Sequence, residues 1–212
     1  MKKTAEPKQV YQLKITLKGS RPPIWRRVLV PEHFTLGDLH DIIQTVMPWY
    51  DGHLHEFEIG GVTYGVPDTD SFFDIGSFFG DDTLDEEEVE LRRVIKPATK
   101  RFKYTYDFGD DWEHVIEVEK ILPAEEGVYY PVCLKGAKAA PPEDVGGLWG
   151  YYNLLEIQSN PDNPEYDDMM EWIGEPVDPD AFDLEAVNRM LQHPDLPGRI
   201  VGWTLISPPR KP

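Results

Sequence analysis

The chain has 212 residues, with 39 Asp and Glu against 21 Lys and Arg, a net charge of −18. Contacts to phosphate backbones rest on Lys and Arg, so direct nucleic-acid binding is not expected. The length allows a core that buries roughly 70% of the unfolded surface. A single cysteine, Cys133, excludes an internal disulfide and reads as a half-buried thiol. No apolar run approaches the roughly 20 residues that cross a bilayer, and the N-terminus stays polar, so a cytoplasmic protein without a membrane partner is expected.

The charge is uneven: residues 1–30 and 92–103 are basic, and residues 68–90 hold only acids among their charged side chains. Solvated faces and loops account for most of it.

Tyr11, Leu13, Ile15 and Leu17 alternate with polar residues, the period-two pattern of a half-buried strand. A turn through Pro22-Pro23 leads to a second strand over residues 24–30, ended by Pro31. Thr35 and Asp38 form a capping-box variant, and Leu36, Leu39, Ile43 and Val46 follow at helical spacing, so residues 35–47 are predicted as a helix. Strands over 53–59 and 62–64 flank Gly60-Gly61, a two-residue hairpin turn.

Residues 68–88 contain Ser71-Phe-Phe and Ser77-Phe-Phe in a long acidic loop, which reads as a lid. Strands are then predicted over 89–95, 101–106 and 112–121 as an antiparallel meander, and the Pro- and Gly-rich residues 123–142 as a separator. From Asp144 the periodicity becomes helical in three segments, the last capped by Asp183 and ended by Pro194.

The expected fold is α+β: a β-β-α-β-β half plus an antiparallel meander in one mixed or antiparallel sheet, with C-terminal helices. One domain spans residues 11–194, β-rich over 11–122 and helical over 144–194, between a flexible segment 1–10 and a tail 195–212.

The run from Tyr104 to His114 sets Asp107, Asp110, Asp111, Glu113 and His114 around a Gly109-centred turn, and carboxylates with imidazole bind divalent metal or move protons. Strand phase puts His53, His55 and His114 on the apolar side, each near a turn, so the three can meet at one end of the sheet. A divalent ion would then be held by His53, His55, Asp110, His114 and Glu143, with Asp107 or Asp111 orienting it or acting as base. The plainer alternative makes the histidines core residues and Asp107 and Asp110 turn caps.

Glu143 and Asp144 precede a helix start, where capping is a sufficient role; if that segment folds back on the sheet, both become extra acids of a shared site. Trp25-Arg26-Arg27 reads as a core tryptophan with one arginine paired to a carboxylate. Serine-elbow, P-loop and GxGxxG patterns are absent.

Residues 11–17, Pro23-Ile-Trp-Arg-Arg27, Leu39-His40, His53-Leu-His55 with Phe57, the run Tyr106-Asp-Phe-Gly-Asp to Trp112-Glu-His114, and Pro141-Pro-Glu-Asp-Val-Gly-Gly147 together resemble the plasmid pRiA4b ORF-3-like family. The resemblance runs over nearly the whole chain. It implies an α+β domain of bacteria, archaea and their mobile elements and carries no catalytic role to any residue. A resolvase label borne by some members implies DNA recombination, which wants a Ser or Tyr nucleophile among arginines on a basic surface, unlike this acidic chain.

The leading expectation is a binding or interaction module for a protein or small-molecule ligand. The alternative is a metal-dependent hydrolase or nuclease-like enzyme using the His/Asp cluster. A third reading, a nucleic-acid mimic or a partner within a mobile element, rests on charge.

Overall fold

The computed structural model describes residues 7–67 and 83–192. Eight strands form one sheet: β1 (Gln9–Leu17), β2 (Trp25–Pro31), β3 (His55–Ile59), β4 (Val62–Gly65), β5 (Leu84–Asp85), β6 (Arg101–Tyr106), β7 (Trp112–Pro123) and β8 (Val132–Ala137). Their order is β5-β4-β3-β6-β7-β1-β2-β8, antiparallel throughout except for the short parallel pair β4 and β5. The α+β expectation holds, with all strands in a single sheet.

Helix α1 (Leu36–Val46) starts at Thr35, whose hydroxyl accepts from the Asp38 amide while the Asp38 carboxylate accepts from the Thr35 amide. Leu36, Leu39, Ile42, Ile43 and Val46 are fully buried. They join Leu13, Ile15, Val28, Val30, Phe57 and Ile116 in one core on the inner face of the sheet. Strand register fixes which side chains share a row across that face. Phe57, Tyr104, His114 and Leu17 form one row, and His55, Tyr106 and Trp112 form the next toward the β6–β7 turn.

Two sequence expectations change here. Residues 89–95 are not a strand: Leu91–Val94 is a short helical turn, α2, because the buried pair is Leu91 and Ile95, one helical turn apart, while Arg92 and Arg93 between them stay exposed. The separator over 123–142 contains β8, an edge strand that buries Cys133 against β2.

The C-terminal third is helical as expected: α3 (Gly147–Gln158), α4 (Tyr166–Ile173) and α5 (Leu184–Leu191), the last capped by the Asp183 carboxylate on the Ala186 amide. Most of the lid expectation (residues 68–82) and Pro194 lie outside the described residues. Among the described residues no helix is long and apolar enough to cross a membrane.

Candidate metal centre

Helix α1 supplies His40, and the loop that follows it carries Asp51, His53 and the start of β3 at His55. The β6–β7 turn brings Asp107, the loop before α3 brings Asp144, and a single turn after β5 (Glu86–Glu88) brings Glu86. These side chains converge at one end of the inner face. A cavity of about 230 Å³ opens there, lined by His40, Asp51, His53, His55, Val66 and Glu86 among others.

Two clusters flank the cavity. At its lip, His53 Nε2 lies 3.1 Å from Asp144 Oδ1 and 3.7 Å from Asp107 Oδ2. The donor atoms of His53, Asp107 and Asp144 all fall within 4.8 Å of one another. Asp107 is presented rigidly: its amide donates to the Leu54 carbonyl, its carbonyl accepts from the Asp111 amide at 2.7 Å, and its Oδ1 accepts from the Gly109 amide at 2.9 Å. That leaves Oδ2 facing His53. The second cluster lies deeper and joins His40, Asp51 and His55, again within 4.8 Å. The His40 and His55 rings stack with centroids 3.5 Å apart and planes 10° off parallel.

Each of the carboxylates Asp51, Glu86, Asp107 and Asp144 lies within 4 Å of a histidine nitrogen. Burial pushes the His40 imidazole below its ordinary pKa despite its hydrogen bond to Asp51, so His40 is neutral at pH 7. Burial alone would raise Asp51, but the hydrogen bond from His40 outweighs it and holds the carboxyl ionised. The site therefore carries more negative charge than its histidines neutralise. Asp51, Asp107 and Asp144 also sit at left-handed φ of 55°, 56° and 58°. Aspartate tolerates that region better than most residues, and such conformations gather at functional sites.

The residues expected at one centre part into several roles. His53 and Asp107 meet, joined by Asp144. His55 belongs to the deeper cluster, with its Nε2 2.9 Å from both Glu86 oxygens. His114 does not join them: its row of the sheet places it between Trp49, Tyr104 and Leu17, with no carboxylate beside it. It is fully buried, and neither ring nitrogen completes a hydrogen bond. Burial lowers its pKa to about 4, opposed only weakly by the Trp112 and Tyr104 backbone.

Asp110 and Glu143 fasten the loop instead. Asp110 Oδ2 accepts from the Gly146 amide at 3.1 Å, while Glu143 takes the Tyr106 hydroxyl on one oxygen and the Tyr50 amide on the other. Burial and that carboxylate push Tyr106 far above its ordinary pKa, so it stays a donor. Asp111 shapes the turn through its amide. Glu143 and Asp144 do not cap α3, whose N-cap Gly146 is left-handed with no side-chain cap. The segment folds back on the sheet, as the alternative expectation had it. Gly147 permits this: at φ +67° it brings its backbone against the Asp110 carbonyl, where a Cβ would sit 2.6 Å from the oxygen.

Sequence reasoning missed His40, Asp51 and Glu86. His40 falls on a helix face otherwise filled by Leu36, Leu39 and Ile43. The deeper cluster becomes visible only when register and helix packing bring α1, the post-helix loop and the Glu86 turn together.

The family profile described as plasmid pRiA4b ORF-3-like protein matches residues 9–186. The uncharacterized protein y4hQ of Sinorhizobium fredii is 39% identical over 166 residues, covering 78% of this chain and 81% of that protein. The crystal structure of MM3350, a protein of unknown function from Methanosarcina mazei, is 42% identical and covers 85% of this chain and 97% of its own, with a TM-score of 0.76. The chain belongs to the plasmid pRiA4b ORF-3-like family.

Proposed function

We propose that this domain is a binding module built around a divalent cation, held at the lip of the cavity by His53, Asp107 and Asp144. The observation that carries the reading is the spacing of the three donors. Zinc-type ions bind nitrogen and carboxylate oxygen at about 2.0–2.2 Å, so neighbouring donors around one ion stand about 3.0–3.4 Å apart. The His53–Asp144 separation of 3.1 Å already fits, and the 3.7 Å between His53 and Asp107 needs a small inward shift of His53, whose side chain is 33% exposed. The surplus negative charge at this end favours a cation.

Three protein donors leave positions open toward solvent, where an oxygen or nitrogen of a small-molecule or protein ligand would complete the shell. A metal-assisted hydrolase is the second reading, favoured by the cavity directly behind His53. A water on the ion would there be acidified, with Asp107 orienting the ion through Oδ2.

Elemental analysis and calorimetric titration of untagged protein with Mn²⁺ and Zn²⁺ test this. Wild type should bind an ion whose affinity falls at least tenfold in His53→Ala and in Asp144→Asn, with circular dichroism unchanged. Equal ion binding in wild type and both variants, or none in any, overturns the lip site.

A further inference from the structure

We propose that His40, His55 and Asp51 form a second, nitrogen-rich metal centre inside the cavity, distinct from the lip site and independent of whether the lip binds an ion.

The first argument is how the two imidazoles are held. Glu86 takes His55 Nε2 with both oxygens at 2.9 Å, which makes Nε2 the protonated nitrogen and leaves Nδ1 with the lone pair. His40 meets the Tyr104 hydroxyl through Nδ1 at 2.7 Å and donates from Nε2 to Asp51 Oδ1 at 2.8 Å. A metal ion on Nε2 therefore requires the ring proton to move to Nδ1, where the Tyr104 hydroxyl can accept it, and each ring is then anchored through one nitrogen by an oxygen group with the other on the ion. Metal-bound histidines are oriented in this way by carboxylates and hydrogen-bond acceptors behind them.

The anchoring extends one step further. Gln44 Nε2 donates to the Tyr104 hydroxyl at 3.1 Å, and Gln44 Oε1 accepts from the Asp51 amide at 3.1 Å. Gln44, Tyr104, His40 and Asp51 therefore close a ring of hydrogen bonds that fixes both His40 and the backbone carrying Asp51.

Electrostatics supplies the second argument. His40, His55 and Glu86 are 4%, 6% and 3% exposed, and Asp51 is half-buried. Two carboxylates thus stand against two stacked imidazole rings in a largely enclosed site, where a divalent ion would balance Asp51 and Glu86.

The donor set selects the ion. Two imidazoles and one carboxylate suit zinc, copper, nickel or non-haem iron, whereas the carboxylate-richer lip suits a harder cation such as manganese. In-plane lone pairs of parallel rings run side by side, so a shared ion requires the stack to open. Metal entry therefore splays His55 away from His40, and the cavity of about 230 Å³ gives the room.

The test uses the full chain with the lip vacated by His53→Ala and Asp144→Asn, so that failure of one site is separable from failure of the other. Cu²⁺ serves as the probe because pulsed electron paramagnetic resonance reports the imidazole nitrogens on the ion. One tightly held Cu²⁺ with two imidazole nitrogens is expected. The two-nitrogen signal should vanish on adding His55→Gln, and affinity should fall at least tenfold with Glu86→Gln or Tyr104→Phe, which touch no ion. Should His55→Gln not fold, Asp51→Asn at the cavity wall is expected to lower affinity while the two-nitrogen signal persists. The proposal is overturned if the lip-vacated protein shows no two-nitrogen copper, or if the four inner variants bind copper as it does. A stacked pair that only exchanges a proton would give that outcome.

Discussion

Arg26 and the His40–His55 pair are buried on the same face of the sheet, toward opposite ends of α1, and their partners differ in kind. Arg26 is 2% exposed and bonds only main-chain carbonyls: Nε to Val46 at 2.8 Å, Nη1 to Trp25 at 2.9 Å and to Ala137 at 3.0 Å. Its guanidinium lies 4.3 Å from the Phe182 ring centroid. Val46 closes α1, where the helix dipole favours a cation, and burial lowers the Arg26 pKa only to about 10, so the charge persists at pH 7. The histidine pair instead meets carboxylates and a hydroxyl beside a cavity. Carbonyls of strands and helices neither titrate nor leave, so a cation among them ties elements together. Side-chain partners around open space can be displaced or shared, which is what binding requires.

Arg26→Ala is the hardest blow to this contrast. It strands carbonyls of α1, β2 and β8 in the core and is expected to cost about 3–5 kcal/mol in urea unfolding. Arg26→Lys should recover little, because one ammonium cannot reproduce the planar fork. A loss below about 1 kcal/mol in Arg26→Ala would remove the structural role assigned to it.

His114 lies between the two regions and shares the chemistry of neither. The unfolded chain takes a proton on this residue near its ordinary pKa of 6.5, while the folded protein resists until about 4. Over that window the unfolded state binds more protons, so stability rises with pH, is fully present above about 6.5 and falls by about 3 kcal/mol on descending to pH 4. His114→Leu should flatten that part of a pH-resolved denaturation series. An unchanged slope would mean that another group carries it.

Gly147→Ala sharpens the contrast within the site itself. The strained φ and the Asp110 carbonyl oppose a side chain, so a cost of about 2 kcal/mol is expected. Displacing the loop moves Asp144 and should weaken Mn²⁺ binding at the lip while copper at the inner pair is kept.

How far the sequence reveals all this follows from the range of the forces. Alternation in β1, β2, β3, β6 and β7 and the Thr35–Asp38 capping box are local signals, and those elements were readable. Residues 89–95 misled because Val89 and Leu91 alternate before Arg92 and Arg93 break the pattern, and β8 is a short edge strand set among prolines and glycines. The face of His55 and His114 was legible from strand phase, but their separation was not, and His53, read as part of the same strand, stands in the loop before β3 with its side chain 33% exposed. A register that sets His55 against Tyr106 and His114 against Tyr104 puts them in different rows. Trp25 misled too: only half-buried, it carries the Arg27 guanidinium at 5.1 Å, while Arg27 pairs with Glu119, leaving the core position to Arg26.

The smallest expected effect discriminates most finely between a structural and a binding role for buried charge. Glu86 is as buried as Arg26, so burial alone predicts a comparable loss for Glu86→Gln. A role in binding predicts otherwise: glutamine keeps an acceptor for His55 Nε2 and removes a charge that lacks a full counterion, so metal-free stability should change by no more than about 1 kcal/mol. Chelator-treated wild type and variant, unfolded in urea at pH 7, give the comparison. A loss of several kcal/mol would place Glu86 and His55 with Arg26, as a buried ion pair that holds the Glu86 turn against β3, and would leave the cavity as a by-product of that packing.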